Sequence, residues 1–280
     1  MIEIDQIPNN MQSINTISIV GSGNVANQLG VELFKLGVKI EYIFARNKVE
    51  GILLATSVNA QLKAIDKINI IKQSQLLLLA IADGGIEEMV SKIENCEIII
   101  AHTSGTVPSK VFAEKFKNYG IFYPLQTFTK NAIVDFNIIP FFILGSNEGV
   151  EKKLIDLAKI ISNNVEIMDD VKRQKLHISA ILVNNFVNHL FALSEQYCIE
   201  NDLNFDLLKP LIGSTFNKVS NNISPTIVQT GPAKRGDLGT IMEHLEIIKT
   251  SKIKHLESIY TLLPASIIDL YKEKKDELPI

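Results

Sequence analysis

A chain of 280 residues, 46% hydrophobic and 21% charged, has an ordinary globular composition and length for about two domains. Its net charge of −3 and pI near 6.0 supply no basic field for nucleic acid or an anionic membrane, so charge alone points to a small-molecule partner. Cys96 and Cys198 stand far apart with no second cysteine near either, which argues against a zinc site and gives no reason to invoke a disulfide.

Met1 to Asn15 reads as a polar lead-in without the basic and apolar regions of a signal peptide, and the expected location is cytoplasmic. Thr16 to Val20 is a short β-branched strand. Gly21-Ser22-Gly23-Asn24-Val25-Ala26 follows at once and opens a helix running to about Leu36, with Gly37 as its C-cap. Strand, glycine turn and helix are the setting in which G-x-G-x-x-A is a dinucleotide fingerprint. Gly21 permits the tight turn, Gly23 lets a pyrophosphate approach the backbone, and Ala26 allows close helix–sheet packing. Free N–H groups and the helix dipole then bind the phosphates. After a second strand, Lys39 to Ala45, the position of the ribose-binding carboxylate of NAD enzymes holds Arg46-Asn47. An arginine there suits a 2′-phosphate, so NADP is favoured over NAD.

Leu76 to Ile81 and Glu97 to Ala101 read as buried strands, ending in Ala82-Asp83 and in His102-Thr103-Ser104-Gly105. Ligands of open α/β sheets bind beyond the carboxyl ends of the strands, which places Ala82 and Asp83 beside the cofactor and His102 and Ser104 where chemistry happens. A second reading has Asp83 and Ser104 merely capping helices. A helix is expected over Pro108 to Lys117 with Gly120 as its stop, then extended Tyr123-Pro124 and a substrate lip at Gln126-Thr127. Ile138 to Leu144, Val150 to Ile161 and Val165 to Met168 continue as strand, helix and strand. This alternation predicts an α/β, doubly wound parallel sheet over residues 1–168.

Residues 169–280 read as helices only. Leu176 to Leu193 contains no Asp, Glu, Lys or Arg and is expected to be buried, with its asparagines and histidines too polar for a membrane span. At 3.6 residues per turn His177, Asn184 and Asn188 share a stripe with Glu195, facing a ligand or another polar surface, while His189 lies off it in core or dimer packing. Further helices are expected over Phe205 to Asn222, Leu238 to Thr250 and Lys252 to Tyr271. The loop Ser224 to Asp237 is too structured in composition for a linker, and Asp237 can cap the helix that carries His244. Arg235-Gly-Asp237 and Lys275-Asp-Glu-Leu278 match an adhesion tripeptide and a retention signal by chance.

Five motifs together resemble one bacterial family: Gly21 to Ala26, His102 to Gly105, Tyr123 to Phe128, His177 with Asn185-Phe186 and Asn188-His189, and Thr230 to Asp237. Its members are NADP oxidoreductase-like, with a Rossmann-like N-terminal half and a C-terminal half of unknown function. The resemblance implies kinship with the 6-phosphogluconate, β-hydroxyacid, ketopantoate and pyrroline-carboxylate reductase group, whose all-α second domains dimerise and close over the nicotinamide. One departure stands out. If Asn185 is the asparagine that follows the catalytic lysine of the β-hydroxyacid enzymes by one turn, the lysine position holds Ile181.

Proton transfer then falls to His102 or His177, with His244 behind them. Ser104 and Asn185 are expected to orient a substrate oxygen or nitrogen. Gln126, Asn184, Asn188, Asp237 and His244 are read as substrate-binding, with Arg235 for a carboxylate or phosphate. The expected function is NADP-dependent hydride transfer to or from a C–O or C–N carbon of a small anionic metabolite, in a homodimer. The alternative is a non-catalytic dimeric NADP(H) sensor. No G-x-S-x-G elbow supports a serine hydrolase and no histidine spacing supports a metal.

Overall fold

The computed structural model describes residues 13–71, 73–130, 132–221 and 223–276. Most of the expected lead-in, Asn222 at one expected helix end and the last part of the Lys275 to Leu278 match lie outside them. The chain divides into two compact units, Met1–Leu182 and Val183–Ile280, rather than at 168/169.

The first unit is built on eight strands: β1 (Thr16–Val20), β2 (Lys39–Phe44), β3 (Gln61–Lys63), β4 (Leu76–Leu79), β5 (Ile99–His102), β6 (Tyr119–Pro124), β7 (Phe141–Gly145) and β8 (Val165–Ile167). Helices α1 (Asn24–Lys35), α2 (Lys48–Ser57), α3 (Ile86–Lys92), α4 (Glu148–Ile161) and α5 (Asp170–Ile181) complete it. The strand order is β3-β2-β1-β4-β5-β6-β7-β8. From β1 the chain moves outward to β3 and then returns to β4 on the other side of β1. That reversal opens the crevice in which such sheets bind ligands. Strand β4 has apolar residues on both faces, Leu76 and Leu78 in one core cluster and Leu77 and Leu79 in the other, which is why its sequence is a continuous apolar run.

Three local expectations are corrected. Strand β7 runs antiparallel to β6, with β8 parallel to β7, so the sheet is mixed at that edge. Among the described residues between β6 and β7 the one regular element is a 3₁₀ turn, Phe136–Ile138, and a parallel partner would need a full crossover. The helix expected over Pro108 to Lys117 shrinks to one 3₁₀ turn, Ser109–Phe112. Its start is held instead by Asp170, whose carboxylate accepts from the Ser109 N–H at 2.9 Å and hydroxyl at 2.8 Å, while Phe112 and Phe116 turn into the core. Gly120 is no stop: it lies inside β6, where the Leu144 carbonyl and Leu154 leave no room for a side chain.

Helix α5 belongs with the sheet because its first turns are bonded to the segment after β5. Fully buried Arg173 donates to Asp170 at 2.7 Å and to the Val107 carbonyl at 2.5 Å, and Gln174 donates to the Thr106 carbonyl at 2.6 Å.

A π-helical turn, Leu182–Phe186, contains the boundary between the units, and the second unit continues with α6 (Val187–Glu200), α7 (Lys209–Ser220), the short turns α8 (Pro225–Val228) and α9 (Pro232–Arg235), α10 (Leu238–Ile248) and α11 (Leu256–Asp276). A π turn carries more residues than an α turn, so the 3.6-residue count that puts His177, Asn184, Asn188 and Glu195 on one stripe does not hold through Leu182–Phe186. The expectation that Leu176 to Leu193 is buried fails more sharply. Of that stretch only Leu193 is buried; Val183 and Phe186 are among its exposed side chains, and His189 is exposed as well. The helical run Asp170–Glu200 is long and apolar enough to cross a membrane by length and composition alone.

The tight packing at Gly120 is open to test. An alanine Cβ there would stand 2.5 Å from the Leu144 oxygen on the neighbouring strand. Gly120→Ala is expected to lower unfolding free energy by about 1–3 kcal/mol in denaturant titration, the usual range for overpacking.

Candidate functional site

At the carboxyl ends of β1 and β4 lies a groove of about 510 Å³, within the size range of small-molecule sites. Gly21, Ser22, Gly23, Asn24 and Val25 line it from the glycine turn, Arg46 and Asn47 from the end of β2, and Ala82 from the end of β4. Gly21 has φ +125° and donates its N–H to the Phe44 carbonyl at 2.8 Å, and a Cβ there would overlap the Ala80 carbonyl. Gly23 differs: a Cβ there would meet nothing within 4 Å, so its hydrogen faces open space. Helix α1 starts just beyond with no side-chain cap and no acidic residue in its first turn, leaving N–H groups for an anion. Ala26 is fully buried beneath. These features fit a dinucleotide pyrophosphate.

Arg46 is exposed at the rim, whereas the Asn47 side chain accepts from the Glu50 N–H at 3.2 Å and caps α2. Two charged rim residues lie outside the sequence expectations, Glu88 and Lys92 on α3. Their four-residue spacing on a helix is the signal that could have found them. Lys92 Nζ stands 2.5 Å from Glu88 Oε1 and holds the Glu88 carboxyl below its ordinary range, with Arg46 adding to the effect.

Asp83 does not line this groove. Its carboxylate accepts from the Thr106 hydroxyl. Ser104 Oγ accepts from the N–H groups of Thr106 and Val107 at 3.1 and 2.9 Å, which closes a local turn; it caps no helix, because the 3₁₀ turn that follows starts only at Ser109. His102 is corrected as a proton-transfer candidate. It is 0% exposed, packed on Phe112, with Nδ1 accepting from the Ser104 N–H at 3.2 Å. Among the described residues its Nε2 has no hydrogen-bond partner. Burial pushes it down to about 4, with the Arg173 guanidinium adding to that, so at neutral pH the ring is uncharged with its proton on Nε2.

His177 is placed differently. Its Nδ1 lies 2.9 Å from Tyr123 Oη, and both rings press on Gly105, where no Cβ would fit. Burial pushes the Tyr123 phenol up to about 12, so it stays protonated. From sequence Tyr123 enters as the residue before Pro124 and in the Tyr123 to Phe128 motif, with no role in proton transfer; it shares a face of β6 with buried Ile121, which turns its ring inward. Gln126 is exposed beyond β6, and its side chain accepts from the Thr127 N–H at 2.8 Å.

In the second unit Asn185 and Asn188 are exposed, and Asn184 lies with Asn185 on the π turn. Arg235, Asp237 and His244 are brought together. Asp237 caps α10, accepting from the Thr240 N–H at 3.1 Å and hydroxyl at 2.8 Å, and these bonds, followed by Arg235 and His244, lower its carboxyl. Arg235 stands 4.0 Å from Asp237 and is 66% exposed, and His244 Nδ1 pairs with Tyr260 Oη at 2.5 Å. Among the described residues no group of three or more His, Cys, Asp or Glu is placed to hold a metal.

The burial of His102 has a pH signature. Between about 6.5 and 4 the unfolded chain binds the proton and the folded one does not, so stability falls as pH drops through that window. The contribution is on the order of 3 kcal/mol, and His102→Gln should flatten the difference in melting temperature between pH 7 and pH 4.5.

Comparison with known proteins follows the same outline. No curated protein matches the chain. Residues 139–267 match the family described as Domain of unknown function (DUF2520). A solved structure of a "putative NADP oxidoreductase" from Bacteroides fragilis is 32% identical, with 91% of this chain and 98% of that one covered at a TM-score of 0.83. A Thermotoga maritima protein, 20% identical with 92% and 99% covered, superposes at 0.67. A 1-pyrroline-5-carboxylate reductase from Streptococcus pyogenes, 12% identical with 92% and 98% covered, superposes at 0.57; these two share the fold. By its identity to the first across nearly its whole length and by its DUF2520 match, the chain belongs to the family its motifs resemble, with a Rossmann-like N-terminal half and a C-terminal domain of unknown function.

Proposed function

We propose that this chain is an NADP-dependent oxidoreductase acting on a C–O or C–N carbon of a small anionic metabolite. The observation that carries the reading is the groove itself: a glycine turn open to a pyrophosphate at Gly23, with Arg46 rather than a carboxylate at the end of β2. The name given to the Bacteroides fragilis relative, "putative NADP oxidoreductase", supports it. Bound there, the nicotinamide would supply or accept the hydride, which is the hard part of the chemistry. The N–H groups at Gly23 and the start of α1 hold the pyrophosphate, and Arg46 takes the 2′-phosphate. Tyr123 and His177 hold an exchangeable proton between Oη and Nδ1, a place for the acid/base that Ile181 cannot be. Arg235 is the cation offered to the anionic group of the substrate, and Asn184, Asn185, Asn188 and His244 of the same unit are the polar groups offered beside it.

The working form is read as a cytoplasmic homodimer with no nucleic-acid or membrane partner. In support, the second unit exposes large apolar side chains on nearly every helix, Phe186, Phe191, Leu211, Phe216, Met242 and Leu262 among them. Buried there, among the described residues, are only Leu193, Cys198, Ala233 and Ile241. A unit with so small a core gains its stability from a second copy. Ile181 also favours a second reading, a dimeric NADP(H) sensor without turnover. A sensor binds the cofactor and oxidises no NADPH with any member of a carbonyl and imine panel.

Titration followed by nicotinamide fluorescence is expected to show tighter binding of NADPH than of NADH, with the preference lost in Arg46→Asp. Equal binding of the two cofactors would contradict the NADP assignment. Light scattering at micromolar concentration is expected to give twice the mass of one chain, and a monomer would remove the dimer.

A further inference from the structure

The second cation of the cofactor groove comes from α3, and it is held by a carboxylate. Arg46 alone is a thin basis for choosing a 2′-phosphate, because Glu88 lines the same groove. A carboxylate at the adenosine end is what NAD enzymes use to accept from the ribose 2′-hydroxyl, and it repels a phosphate. Here that carboxylate is covered. Lys92, one helical turn on, binds it at 2.5 Å, and Arg46 is close enough to act on the same charge. On an ordinary helix surface such a pair contributes little and does nothing else. This one differs in that both partners and Arg46 line one groove, whose lining also includes the apolar Met89.

We infer that Glu88 and Lys92 form a selectivity switch for the 2′-phosphate, an inference that rests on the dinucleotide reading of the groove. Arg46, Lys92 and Glu88 sum to one positive charge, so the rim attracts a phosphate although it contains a carboxylate. Before a nucleotide binds, Glu88 keeps the Lys92 ammonium at the rim. When a 2′-phosphate arrives, Lys92, with three N–H donors, bridges Glu88 and the phosphate so that the carboxylate stays covered, and Arg46 supplies the planar fork beside it. With a plain 2′-hydroxyl there is no second anion to bridge and Lys92 stays paired with Glu88 alone. Discrimination therefore depends on Lys92 masking Glu88 as much as on Arg46.

The test uses calorimetric titration of the full chain with 2′,5′-ADP and 5′-AMP, which differ only in that phosphate. Lys92→Met is expected to weaken 2′,5′-ADP by about tenfold, the effect of losing one charge-assisted contact, and to leave 5′-AMP unchanged or tighter. Glu88→Gln is expected to tighten 2′,5′-ADP, and the double variant to fall between the two. Unchanged 5′-AMP binding shows that each variant is folded. Equal weakening of both ligands by Lys92→Met, or no effect on either, would overturn the switch while leaving the dinucleotide reading intact. If the unaltered chain bound neither these ligands nor NADPH, the dinucleotide reading would fall and the switch with it.

Discussion

The first unit turns on one close approach of backbone to backbone. Where β1 ends, the Gly21 N–H is bonded to the Phe44 carbonyl of β2, and its Cα faces the Ala80 carbonyl at the end of β4 with no space for a side chain. Only a glycine at positive φ can pass there. Because it passes, α1 can start immediately and direct its N-terminus into the crevice between β1 and β4. The groove, its uncapped N–H groups and its position at the strand-order reversal all depend on that turn. Ala26, fully buried, is the matching condition one turn later.

A second constraint acts at the carboxyl ends of β5 and β6, which run parallel to β1 and β4. Gly105 has no room for a Cβ because Tyr123 and His177 close on it, so the loop after β5, the end of β6 and helix α5 meet at one residue. Arg173, Asp170 and Gln174 fix α5 against the same loop. Bonded this way, α5 is part of the sheet unit although its sequence reads as the first of the helices. The second unit has little of this. Its loop Thr230 to Asp237 is held by Gly231 and Gly236 at positive φ and by the Asp237 cap, with Lys234 over the Tyr271 ring, while Arg235 remains exposed.

What can be read from the chain follows from where information is local. β1, α1, β2, α4 and the Asp237 cap are specified by neighbours in sequence, through glycine, capping residues and apolar spacing, and they are legible. The antiparallel β7, the lost helix after Pro108 and the pairing of Tyr123 with His177 are set by contacts with residues far along the chain, such as Asp170 reaching Ser109. His102 sits at the expected strand end, but alternation along β5 turns it into the core. Leu176 to Leu193 reads as buried from composition alone; that composition says the side chains need cover, and within one chain they do not find it.

Gly23 offers the most direct test of the central claim, that the turn after β1 binds a dinucleotide. Its φ of −75° suits any residue, and a side chain there would point into open space. Gly23→Val should therefore change stability by no more than about 0.5 kcal/mol, as surface substitutions do. NADPH binding should be lost, because the valine occupies the place of the pyrophosphate. A folded variant that bound NADPH as tightly as the unaltered chain would contradict the account.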